Sequence, residues 1–190
     1  MNAHIINRRR ALAGLAAGAA LVAGFGALAK PAAPAASQLK FVASQADVPV
    51  PGEFRKFSAD IDFDPAQPAA GKVNIEVDVG SVATGSGDAD AMLVSKDFFD
   101  AAHYPRAGFA STAIAPEAGG KFRATGQFTL KGHSLPLTVP FSTRTDAKGI
   151  WFEGNVPISR LAYKVGEGEW TDTGTLADKV QIEFKLYVAR

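Results

Sequence analysis

From Phe57 onward the chain alternates apolar and polar residues with a period of two. Phe57, Ala59, Ile61 and Phe63 are separated by Ser58, Asp60 and Asp62; Val73, Ile75, Val77 and Val79 are separated by Asn74, Glu76 and Asp78. Phe122, Ala124, Gly126, Phe128 and Leu130 continue the pattern between Arg123, Thr125, Gln127 and Thr129. It returns at Leu135, Leu137, Val139 and Phe141, at Ile150, Phe152, Val156 and Ile158, and at Val180, Ile182, Phe184, Leu186 and Val188. Successive side chains of a strand point to opposite faces, so each segment predicts a strand with one dry and one wet face. Leu39–Val42 and Gly108–Ile114 predict weaker strands, bringing the total to about eight.

Gly119-Gly120, Lys131-Gly132-His133-Ser134 and Asp146-Ala147-Lys148-Gly149 supply hairpin turns. Only Asp88 to Ala102 reads as helical, with Asp88 or Ser95 as N-cap. One short helix cannot cover an open sheet, so the dry faces must cover one another. Long strands joined by short turns favour closure into an up-and-down barrel, which also removes exposed edges. The expected fold is all-β: an eight-stranded antiparallel up-and-down barrel with a short helical insertion around 88–102.

The first 37 residues break the alternation. Arg8-Arg9-Arg10 precedes an uncharged Ala/Gly/Leu/Val run from Ala11 to Ala29, which ends in the small-x-small sequence Ala27-Leu28-Ala29. A basic, an apolar and a small-residue region in that order predict a cleavable secretory signal over 1–29. Asn7-Arg8-Arg9-Arg10-Ala11-Leu12 has the paired arginines of a twin-arginine signal, with Ala11 where Phe is usual. The expected location is therefore the periplasm. Lys30 to Ser37, rich in Ala and Pro, is expected to be a flexible spacer, and 38–190 the barrel domain.

The chain has no Cys, so an exported form has no disulfide and depends on its core for stability. Removing the three arginines of 1–29 from the 20 basic residues leaves 17 against 19 acidic, a net charge of −2. A mildly acidic, mixed surface argues against nucleic acid as partner.

One stretch concentrates candidate chemistry: Phe98, Phe99, Tyr104 and Phe109 stand among Asp97, Asp100 and His103. Metal-ligand spacing is missing there, with no H-E-x-x-H and no His pair at i and i+4. Ser95 and Ser111 lack a G-x-S-x-G setting, so no activated nucleophile is expected. Asp60, Asp62 and Asp64 are the wet face of a strand. No metal, cofactor or catalytic residue is therefore expected, and the aromatic residues read as a plug at one barrel end.

Ordered blocks through the mature chain resemble a known family. Gly52-Glu53-Phe54-Arg55-Lys56-Phe57 followed by Ile61-Asp62-Phe63-Asp64, and Asp97-Phe98-Phe99-Asp100 closed by Tyr104-Pro105, are two of them. Gly126-Gln127-Phe128-Thr129-Leu130-Lys131-Gly132 with Leu135-Pro136-Leu137, and Val165-Gly166-Glu167-Gly168-Glu169-Trp170, are two more. Together they resemble the YceI-like family of exported bacterial proteins with lipocalin-like barrels. His133 stands where the family usually has Val or Thr, and Val48 to Gly52 reads as a shortened first hairpin.

The resemblance implies a non-enzymatic carrier whose apolar cavity holds an isoprenoid, quinone-type or otherwise, or another long-chain lipid. It also implies a b-type cytochrome membrane protein as a partner, with the chain acting as a monomer or homodimer. The expected cavity residues are Phe57, Ile61, Ile75, Phe98, Phe109, Phe128, Leu137, Phe141, Phe152, Trp170 and Phe184, with Arg160 as a polar rim or head-group residue. Small Ala59, Ala124 and Gly126 among these large side chains fit either a hollow barrel or a tapering solid core, and the pattern alone leaves both open. The alternatives are an accessory partner of a membrane protein with no ligand, and a lipid-processing enzyme.

The export signal generates a direct expectation. Changing Arg8 and Arg9 to Lys should abolish export by a twin-arginine route, whereas general secretion tolerates the change. Cell fractionation and N-terminal sequencing of the exported form, expected to begin near Lys30, check both points.

Overall fold

The computed structural model describes residues 30–189; the expected signal segment lies outside the described residues. Among the described residues, eleven strands in one antiparallel sheet, one short α-helix and a few 3-10 turns make up the fold. The strands are β1 (Lys30–Pro31), β2 (Gln38–Gln45), β3 (Val48–Phe54), β4 (Phe57–Asp62), β5 (Lys72–Asp78) and β6 (Val82–Ala83), followed after the helix by β7 (Arg106–Glu117), β8 (Lys121–Leu130), β9 (His133–Thr145), β10 (Gly149–Ser159) and β11 (Lys179–Ala189).

The pairings group these strands into eight staves. β3 and β4 are one bent stave: its first half pairs with β2 and β6, its second with β1 and β5. β5 and β6 form the next stave, interrupted by a 3-10 turn at Val79–Ser81. β7 to β11 follow as a meander, each paired with the one before it. The eighth stave is the N-terminal segment, in which β2 pairs with β11 on one side and β3 on the other. β1 extends it along β4, and the backbone of Ala32 and Ala33 donates to Ala59 at 2.7 Å and Tyr187 at 2.8 Å. Neighbours in the ring are successive in the chain, so the barrel is up-and-down, as the alternation implied.

Residues 30–37 are therefore not a free spacer. They fill the gap left where β11 runs beyond its pairing with β2: Ser37 Oγ accepts the Tyr187 N–H at 3.0 Å, and Ala32 is buried in the apolar interior. An Ala/Pro composition resembles a linker, but small side chains also suit a stave squeezed between two others.

Two further expectations change. The helix is short: α1 spans Gly87–Leu93 with Ser86 as N-cap, its Oγ accepting the Ala89 N–H at 3.4 Å, and 95–103 forms successive turns instead. Val48 to Gly52, read as a shortened first hairpin, belongs to a full strand, β3. Pro49 and Pro51 hid it. The two-residue turn at Ala46-Asp47 makes Gln45 and Val48 a bonded pair, so both prolines present their missing N–H to the unpaired edge, where a sheet tolerates proline.

Strand β7 was a weak signal because it carries a β-bulge between Ser111 and Ala113. Phe109 and Ile114 both face the interior although five positions apart, which strict alternation forbids and one inserted residue permits. Gly126 on β8 lies against this bulge, and a Cβ there would overlap the Ala110 carbonyl oxygen. Its smallness serves backbone approach, not interior volume.

Closure by the N-terminal stave has a testable consequence. Ala32→Asp places an unpaired carboxylate among apolar side chains and should lower unfolding stability by about 2–4 kcal/mol in urea denaturation. An unchanged midpoint would show that this stave lies outside the cooperative unit.

Candidate functional site

Two apolar clusters fill the barrel. One contains Leu39, Phe41, Val79, Phe98, Phe99, Leu130, Tyr163 and Val165; the other contains Ala59, Ile61, Phe109, Phe122, Phe141, Phe152 and Leu186. Between and along them runs a cavity of about 140 Å³. Apolar side chains from every full-length stave line it, and among the described residues the only charged one at its margin is Lys40, which is itself exposed.

Aromatic side chains crowd one end. Phe63 meets the rings of Phe122, Phe141 and Phe152 edge-on, with centroids 5.0, 5.5 and 5.7 Å away, while Phe122 and Phe141 stack at 5.5 Å. Edge-to-face contacts at such distances contribute beyond the area they bury. At the other end Phe98 packs on Trp170 at 5.5 Å and Phe128 on Tyr163 at 5.2 Å.

Arg160 holds that second end together. Its Nε donates to the Ala177 carbonyl, Nη1 to Val165 and Gly166, and Nη2 to Trp170 and Leu176, at 2.6–3.1 Å. A guanidinium has five N–H donors, and all five are used on carbonyls of one loop. The side chain is 2 % exposed; burial lowers its pKa from the ordinary value and the Asp178 charge opposes that shift. No donor remains for a head group, so Arg160 is not a polar rim residue. It organises the loop from Leu161 to Asp178. A planar fork suits several converging carbonyls, a role that its position in the sequence did not reveal.

The aromatic and acidic stretch at 95–104 anchors the same loop. The Asp97 carbonyl accepts the N–H groups of Gly166 and Glu167 at 2.8 and 2.9 Å. Asp100 pairs with the exposed His103 ring at 2.8 Å in a surface turn. Lys131, buried at the β8–β9 turn, reaches the Lys164 carbonyl and the Glu167 carboxylate, both at 2.8 Å. The hydrogen bond from Lys131 holds the Glu167 carboxyl below its ordinary pKa, with the Lys131 charge adding to it. Among the described residues no three His, Cys, Asp or Glu side chains converge as a metal site would need.

Of the expected cavity residues, Ile61, Ile75, Phe109, Phe128, Leu137, Phe141, Phe152 and Phe184 line the cavity. Phe57, Phe98 and Trp170 do not. Phe57 sits half-buried at the bend between β3 and β4, and Phe98 and Trp170 are spent on each other. The sequence reading missed Phe41, Phe54 and Phe99 as lining residues. Phe41 alternates with Leu39 and was within reach, Phe54 was masked by the prolines before it, and Phe99 was read as an end cap. Of Ala59, Ala124 and Gly126, Ala124 lines the cavity; Ala59 is buried beside it and Gly126 faces β7.

A family model described as the YceI-like domain matches residues 32–188. This chain belongs to the YceI-like family. The crystal structure of Burkholderia cenocepacia BcnA superposes with a TM-score of 0.81 at 42% identity, over 83% of this chain and 99% of that one. A polyisoprenoid binding domain from Saccharophagus degradans, implicated in plant cell wall breakdown, shares the fold at a TM-score of 0.65 and 20% identity, over 86% of this chain and 99% of that one. A UPF0312 protein of Pseudomonas savastanoi pv. phaseolicola is 34% identical over 100 residues, 53% of this chain and 52% of that protein. The chain thus spans about half the length of such curated relatives. The family model begins at Ala32, inside the N-terminal stave.

The role assigned to Arg160 separates from a head-group role by measurement. Arg160→Lys keeps the charge but leaves several buried carbonyls without a donor, and should cost about 3 kcal/mol in chemical denaturation. A head-group residue would leave stability nearly unchanged.

Proposed function

We propose that this protein is a binding and carrier protein, not an enzyme, that takes a linear apolar chain of an isoprenoid or other long-chain lipid into its barrel. The observation that carries this reading is the cavity, whose lining is apolar throughout except at the exposed Lys40. Membership of the YceI-like family and the shared fold with a polyisoprenoid binding domain support it.

A cavity near 150 Å³ lined by Leu, Ile and Phe stays dry and accepts a benzene-sized guest. The cavity here, about 140 Å³, therefore holds a few carbons as the side chains stand. Its lining residues extend along both clusters, so rotation of the half-buried Phe54, Phe128 and Phe184 extends the space for a chain. Each CH₂ removed from water contributes about 0.8 kcal/mol, which gives affinity without any hydrogen bond in the interior. Selection is then by chain shape rather than by head group. Export to the periplasm, the reading the N-terminal segment supports, places such a carrier between two membranes.

Native mass spectrometry and solvent extraction of protein purified from periplasm should reveal an apolar long-chain compound at one per barrel. Ala124→Phe, which adds a ring to the lining, should yield a folded barrel without it. Wild-type protein that carries no such mass and takes up no long-chain probe would refute the carrier and leave the accessory-partner reading.

A further inference from the structure

Aromatic side chains crowd both barrel ends, and the wall is interrupted between β9 and β10. β9 pairs with β8 along residues 133–142, and β10 pairs with β11 along its whole length. Between β9 and β10 the ladder runs only from Ile150↔Thr145 to Glu153↔Ser142. The two backbones stay in contact one step further, where the Pro140 carbonyl lies against Gly154; beyond that, residues 133–139 and 155–159 face each other across a seam with no ladder.

The sequence enforces that seam. The two-residue turn at Lys131-Gly132 makes Leu130 and His133 a bonded pair, so odd-numbered residues of β9 bond to β8 and even-numbered ones face β10. Pro136 and Pro140 are even. Their partners across the seam are odd-numbered residues of β10, which include Pro157. All three prolines thus delete N–H donors that would have pointed into this one interface.

Leu135 faces the interior by parity yet is 36% exposed, while Val156 and Ile158 on the facing stave are buried. The cavity lining continues on both lips of the seam, with Leu137 and Val139 on β9 and Val156 and Ile158 on β10. Its limits are the contact of Gly154 with the Pro140 carbonyl on one side and, at the far end, the contacts of Lys131 with Lys164 and Glu167, which tie the two staves together.

We propose that the β9–β10 seam is the doorway through which a linear apolar chain passes sideways into the cavity. This rests on the carrier reading. A slot with apolar lips lets the chain move between a bilayer and the barrel without crossing water.

The chain has no Cys, so two introduced thiols are unique. Thr138→Cys with Pro157→Cys places them on opposite lips, to be joined as a disulfide or, over a wider gap, by a short bismaleimide. Stopped-flow uptake of cis-parinaric acid should slow about tenfold or more when the lips are joined, with release slowed alike and final occupancy unchanged. Single-Cys proteins carrying the same reagent should bind at the wild-type rate. A joined seam with wild-type rates would overturn the doorway. Wild-type protein that never takes up the probe would refute the carrier reading and the doorway with it.

A second variant does not depend on a cross-link. Pro136→Thr, Pro140→Thr and Pro157→Thr together restore the missing donors. Slow hydrogen exchange at those three amides should accompany slow uptake; protected amides with unchanged uptake would equally overturn the proposal.

Discussion

Every stave of this barrel depends on closure. A sheet with one dry face and no helix long enough to cover it has to bury that face against itself, and it does so only if the last stave meets the first. Here the first stave is built from residues 30–45, of which the initial part is small Ala and Pro. It succeeds because β11 and β4 offer the Tyr187 and Ala59 backbone groups that the N-terminal segment satisfies. Interruptions at 33–37 and at Val79–Ser81 adjust the register without breaking the ring.

Closure then determines where polar chemistry is allowed. The interior excludes it, so buried charge collects at the end built from the loop after β10. Arg160 uses its whole donor set there, and the Asp97 carbonyl and Lys131 bind the same loop from two other directions. The outcome is a loop held mostly through its backbone carbonyls, with Trp170 packed on Phe98. Of the stretch that resembled a reactive cluster in the sequence, the Asp97 carbonyl takes part in that fastening.

Proline performs the same act in two places with different results. In β3 it blunts an edge, which guards against pairing with another chain. In β9 and β10 it keeps two neighbouring staves of one barrel from completing their ladder. A missing N–H is a local property, but whether it protects an edge or opens a wall depends on what lies opposite.

The period-two alternation by itself determined the all-β class, the meander and most of the lining, because parity around a two-residue repeat is a local fact. Ile61, Ile75, Phe128 and Phe184 needed nothing more to be placed inside. What tertiary structure decided were cases in which a distant partner changes the meaning of a residue. Ala32 is a stave because β4 and β11 leave room for it. Gly126 is small because a bulge on β7 presses against it. Phe98 and Trp170 leave the lining because they meet each other, and Arg160 serves five carbonyls brought to it by chain that follows it in sequence. None of these contacts leaves a periodic trace, so only the folded chain could assign them.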